Sequence, residues 1–86
     1  MEELVFKLLI KKSGLIKVDQ FIEQVMFNAN NAEITYEDVK ELIFKFIFYK
    51  FIQIKNGYAE ERYIIKKQNF YYAKECGSVT AWLDEK

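Results

Sequence analysis

"ITYEDVKELIFKFIFYKFIQIKNGYAEERYIIKK" runs from Ile34 to Lys67, and the period of its apolar residues changes midway. Val39, Leu42, Ile43 and Phe46 recur at helical spacing and fall on one side of a wheel turned ~100° per residue. Thr35 with Asp38 three residues later is a weak variant of the capping box. The spacing therefore predicts a helix from about Thr35 to about Lys50. Beyond it, "FIQIK" and "RYIIKK" are β-rich and flank Asn56-Gly57-Tyr58-Ala59-Glu60-Glu61. Asn-Gly between such runs signals a hairpin, with a two-residue turn at the dipeptide as one possible register.

Upstream, residues from Glu2 to about Lys12 read as a first helix. Glu2 and Glu3 stand in its first turn and Lys11 and Lys12 in its last, as the helix dipole favours. Ser13-Gly14 stops it, Gly14 being able to take a left-handed conformation. "LIKV", Leu15 to Val18, is a short strand or an extended link. Asp19 is placed to cap a second helix, with Phe21, Ile22, Val25 and Met26 on its inner face. "NANNAE", Asn28 to Glu33, is polar and favours a turn. Downstream of the hairpin, "FYYAKE" is either a strand or a helical turn. "SVTAWLDEK" suits a short last helix capped by Ser78, with Trp82 packing back on the body. No repeat or linker divides the chain, so residues 1–86 are expected to form a single domain, with a core over 2–67 and a C-terminal extension over 68–86.

This order of helix, short extended piece, helix, turn, helix and hairpin resembles the winged-helix branch of the helix-turn-helix superfamily. The resemblance covers about residues 2–67. In that family the third helix turns its apolar residues inward, here Val39, Leu42, Ile43 and Phe46. A first wing strand then begins with an apolar pair, here Phe51-Ile52, and the second returns as Tyr63-Ile64-Ile65. Two departures stand out: Lys50 lies where the family often has glycine, and the span between the second and third helices is longer than in simple members. The fold expected is α+β, mainly α: three helices followed by a two-stranded wing and a short C-terminal segment.

Composition narrows the chemistry. The chain has 86 residues, 51% hydrophobic and 17% aromatic, so a core can close in spite of its small size. Thirteen basic residues balance thirteen acidic ones, which removes the global pull expected of a protein that coats nucleic acid. With no histidine and one cysteine, Cys76, a zinc site of ordinary ligands cannot be assembled within the chain. Cys76 also lacks an imidazole to activate it, and reads as a small buried residue in a reducing compartment. Gly14, Gly57 and Gly77 are scattered, so there is no glycine-rich phosphate loop. The carboxylate pairs Glu2-Glu3, Glu37-Asp38, Glu60-Glu61 and Asp84-Glu85 read as solvated surface. The expectation is a protein that is not an enzyme and has no metal or cofactor. Met1-Glu2-Glu3 is acidic where a secretory leader is basic, and Lys45 and Lys50 interrupt the apolar runs. A cytoplasmic protein without a membrane span is expected.

What the winged-helix resemblance implies is binding of double-stranded DNA, with the third helix in the major groove and the wing beside it. A homodimeric regulator of transcription follows as the leading expectation. Its contacts would be Tyr36, Lys40 and Lys45 on the helix, with Lys55, Asn56, Tyr58, Arg62, Lys66 and Lys67 on the wing. The helix itself resists this reading, because its outer side presents Glu37, Lys40, Glu41, Phe44, Lys45 and Phe48, with two carboxylates and no Arg, Asn or Gln. Phe44, Ile47 and Phe48 are surplus to the inner stripe. They are either folded over by the hairpin or the Trp82 segment, or they form an interface with a second copy or another protein. The alternative expectation is therefore a winged-helix module for protein docking, as an assembly subunit or inhibitor of a larger machine.

Overall fold

Thr35 and Asp38 do form a capping box at the start of the third helix. Thr35 Oγ1 accepts from the Asp38 N–H at 3.2 Å, and Asp38 Oδ2 accepts from the Thr35 N–H at 3.0 Å, so two orphan donors are satisfied reciprocally. The computed structural model describes residues 2–29 and 34–85. Its elements are α1 (Glu2–Lys11), β1 (Ile16–Lys17), α2 (Val18–Ala29), α3 (Tyr36–Phe48), β2 (Ile52–Asn56), β3 (Arg62–Lys66), α4 (Gln68–Cys76) and α5 (Val79–Asp84). The protein is α+β, mainly helical, with one small antiparallel sheet ordered β1-β3-β2. The polar turn expected over "NANNAE" lies, from residue 30 onward, outside the described residues.

"LIKV" supplies a strand. Ile16 pairs with Ile64 and Lys17 with Tyr63, which makes the hairpin three-stranded. On the other side of β3, Ile54 pairs with Ile64 and Asn56 with Arg62. Paired residues share a face of a sheet. Ile16, Ile52 and Ile64 thus form its buried face, while Gln53, Lys55 and Ile65 point away. The strand β1 runs straight into α2, which begins at Val18. Asp19 is therefore inside the first turn and not the cap; its charge still suits that end of the helix.

The Asn56-Gly57 dipeptide does not make a two-residue turn. With Asn56 paired to Arg62, the loop holds five residues, and a single 3₁₀ turn at Tyr58–Glu60 fills it. Ala59 and Glu60 adopt φ of 55° and 61° there. Gly57 serves by its lack of a side chain: a Cβ would stand 2.3 Å from Tyr63 Cε2.

The end of α3 carries the junction between helix and hairpin. The Phe51 N–H bonds the Phe46 carbonyl at 3.0 Å and the Lys50 N–H bonds the Ile47 carbonyl at 2.9 Å. These are the two bonds of a Schellman motif, whose C′ residue takes the left-handed conformation. That residue is Lys50, at φ 64°. The apolar contact that goes with the motif is present as well, with the Phe46 and Phe51 rings 5.4 Å apart, edge to face.

Phe51 is the hub of an aromatic core. Its ring lies 6.0 Å from Phe6, 5.3 Å from Tyr49 and 4.7 Å from Trp82. "FYYAKE" is helical: Phe70 and Ala73 of α4 are buried at i, i+3, and Gly77 at φ 100° ends the helix. Ser78 caps α5 by accepting from the Ala81 N–H at 3.0 Å. A second cap comes from the far end of the chain. Glu3 accepts from the backbone N–H groups of Val79 at 3.2 Å and Thr80 at 3.0 Å, and from the Thr80 hydroxyl. Burial pushes the Glu3 carboxyl up, but these donors and Lys7 outweigh it and hold it below its ordinary range.

Candidate interaction surfaces on the third helix and the hairpin

Of the three surplus residues on α3, Ile47 is accounted for within the chain. It packs partly buried on the core and lines a shallow cleft with Ile43, Ile54 and Phe44. The Trp82 segment covers Phe51 and Tyr49 and not the outer side of α3. Phe44 remains 61% exposed and Phe48 82% exposed, while Phe46 between them is fully buried. Glu37, Glu41, Phe44 and Phe48 follow at i, i+4, i+7 and i+11. That spacing confines them to about 60° of the helix circumference. They make one outward ridge, acidic at its start and aromatic at its end.

The nine residues expected to touch DNA do not form one strip. Lys45 turns toward α1, where its ammonium meets Glu2 Oε1 at 2.7 Å. Tyr36 and Lys40 lie on the opposite flank, with Lys40 Nζ 5.7 Å over the Tyr36 ring. The Tyr36 hydroxyl donates to Asp19 Oδ1 at 3.3 Å, and Arg62 stands 3.9 Å from the same oxygen. Asp19 thus draws Tyr36 and Arg62 together and offsets part of the Arg62 charge. Asn56 faces Arg62 across the hairpin. Tyr58, 94% exposed, projects from the loop beyond them.

Lys55 belongs to the other face of the sheet. It pairs with Tyr63, which Lys17 pairs from the far side. The Tyr63 hydroxyl donates to Glu61, and Lys17 Nζ reaches Glu61 Oε1 at 3.1 Å. Those two donors hold the Glu61 carboxyl below its usual range, and Glu61 in turn pushes the Lys17 ammonium up. Lys66 is at the opposite end of β3 from the loop, half-buried, donating to the Lys12 carbonyl. Lys67 caps the start of α4, and its N–H bonds the Phe51 carbonyl at 2.7 Å.

Sequence reading sets Glu60 and Glu61 against a basic wing, but misses the part of Asp19 as a counter-charge and the pairing of Glu61 with Lys17. The signal for the split strip was available, because alternation along a strand puts Lys55 and Asn56 on opposite faces. Cys76 is half-buried, not enclosed, and its thiol donates to Glu85 at 3.5 Å. Burial pushes that thiol up, and Glu85 and Glu75 push it further in the same direction. Among the described residues, no group of three His, Cys, Asp or Glu side chains is placed to hold a metal. No helix among them is long and apolar enough to cross a membrane. Compared with known proteins, the chain matches no family model, no curated protein and no solved structure.

Proposed function

We propose that this chain is a winged-helix domain that acts as a protein-docking module, with the outward ridge of α3 as its contact and a second copy as its first partner. The element order and the β1-β3-β2 sheet support the winged-helix assignment. So does the left-handed C′ position at Lys50, where the family often carries glycine. The observation that carries the docking reading is the pair Phe44 and Phe48, exposed at i, i+4 beside Glu37 and Glu41. A helix end bearing Glu37, Asp38 and Glu41 repels the phosphates of a major groove. The same charges suit a second α3 laid antiparallel: the acidic first half of each helix then meets Lys50 just past the end of the other. A two-fold axis near Phe44 stacks the two Phe44 rings and sets Phe48 against the stem of the partner's Lys40. Burying Phe44 and Phe48 on each copy contributes about 3–5 kcal/mol per chain before ordering costs.

Light scattering on the full chain tests this. A dimer is expected at micromolar concentration, and Phe48→Glu should give a monomer with an unchanged circular dichroism spectrum. A wild-type monomer at high concentration refutes self-docking.

A second reading keeps the regulator of transcription. Tyr58, Lys55 and Asn56 stand exposed at the hairpin end, where a wing would meet a DNA backbone or minor groove. A homodimer would present two such wings. Fluorescence anisotropy with duplex DNA across a salt series checks it, and absence of binding at low salt removes it.

A further inference from the structure

We propose that the cleft between the end of α1, the end of β3 and α4 binds a phosphate group, held by Lys12, Lys66 and Lys74. All three lysines line a cavity of about 450 Å³, and among the described residues no carboxylate lines it. The ion pairs among the described residues engage Lys17, Lys45 and Arg62 and leave these three without a counter-charge. Lys66 is half-buried, its ammonium donating to the Lys12 carbonyl and lying 5.1 Å over the Phe70 ring. Burial pushes that ammonium down, and the neighbouring Lys74 pushes it further down. Like charges gathered in a partly desolvated place are costly until an anion sits among them. Ammonium donors carried by three lysines around one cleft can reach the oxygens of a phosphate placed in it.

The remaining walls narrow the ligand class. Ser13 and Tyr71 bring hydroxyl groups, and Ile10, Ile16 and Ile64 make an apolar floor. The volume exceeds what a bare phosphate fills and lies within the range of small-molecule sites. The half-exposed Tyr71 ring offers a flat face for a base. A nucleoside monophosphate has both halves of this chemistry; a nucleic-acid backbone shares the phosphate alone. Nothing here depends on the α3 ridge or on the hairpin loop.

Calorimetric titration of the full chain with adenosine monophosphate, inorganic phosphate and a short DNA duplex tests the site. Lys12→Gln/Lys74→Gln is the informative variant, because Lys66 also caps α1 and its loss would disturb the fold. The monophosphate is expected to bind in the micromolar to low millimolar range. The double variant should weaken it about tenfold or more, since the two lost charge-assisted bonds together are worth at least roughly that factor. Amide shifts on titration should fall on residues 12–16, 64–67 and 70–75. A duplex that loses affinity in the double variant but keeps it in Lys55→Gln assigns the phosphate to nucleic acid in this same cleft. Equal loss in both variants overturns the site, because it describes uniform attraction. No saturable binding of any of the three probes, or monophosphate binding unchanged in the double variant, overturns it as well.

Discussion

Replacing Lys50 with glycine should make this protein more stable, although Lys50 is exposed and makes no side-chain contact with the core. The reason is the Schellman turn at the end of α3, which holds Lys50 at φ 64°. In that conformation the Cβ of an L-residue crowds the backbone at a cost of about 1–2 kcal/mol, which glycine escapes. Glycine also raises the entropy of the unfolded chain, which takes back about 0.5–1 kcal/mol. The net expectation is a gain of about 0.5–1 kcal/mol. For a domain of this size that is a rise in Tm of about 3–6 °C. Lys50→Ala is the control, since it removes the side chain and keeps the Cβ. Thermal and urea unfolding followed by circular dichroism would rank the three proteins. A glycine variant no more stable than the alanine variant would refute the assignment of strain to this residue. Lys50→Val should go the other way, losing about 1 kcal/mol or more to a β-branched Cβ.

The Glu3 clamp on α5 predicts a pH dependence with a definite sign. The folded carboxyl lies below its ordinary range of roughly 4.3, so the stability it contributes is fully present above that value. It is lost as pH falls through the lowered folded value; Glu3→Gln should be weaker by about 0.5–1 kcal/mol at neutral pH and match the native chain in strong acid. Denaturant melts at three pH values check this, and a gap that persists in acid counts against the clamp. Trp82, 7% exposed and edge-on to Phe51, is the main apolar anchor of α5. Trp82→Ala should cost about 3–5 kcal/mol and lower Tm steeply; a loss under 1 kcal/mol would mean α5 is not docked.

Short-range features were the legible part of this chain. The capping box at Thr35 and Asp38, the stop at Ser13-Gly14, and the switch from helix to strand at Phe51-Ile52 each depend on residues within a turn of one another. "FYYAKE" stayed ambiguous because Phe, Tyr and Tyr favour strands locally. Only the burial of Phe70 and Ala73 one turn apart, against Phe6 on α1, decides for helix. Asn56-Gly57 suggested a tight turn, yet the register is fixed by the inward isoleucines, and that sets Asn56 opposite Arg62. The left-handed Lys50 gives no sign in its residue type. The DNA contact set dispersed for a similar reason. Lys45 is drawn off by Glu2, forty-three residues away, and Lys66 by the carbonyl of Lys12. Partners that distant are a property of the packed chain.

The same long-range closure sets the order in which the chain can mature during synthesis. Phe6 and Phe46 are made before Trp82 and before the amides of Val79 and Thr80 that Glu3 clamps. Until α5 emerges from the ribosome, the aromatic wall of Tyr49 and Phe51 has no lid, and a nascent chain stalled or cut between β3 and α5 would expose that adhesive wall to chaperones or proteases.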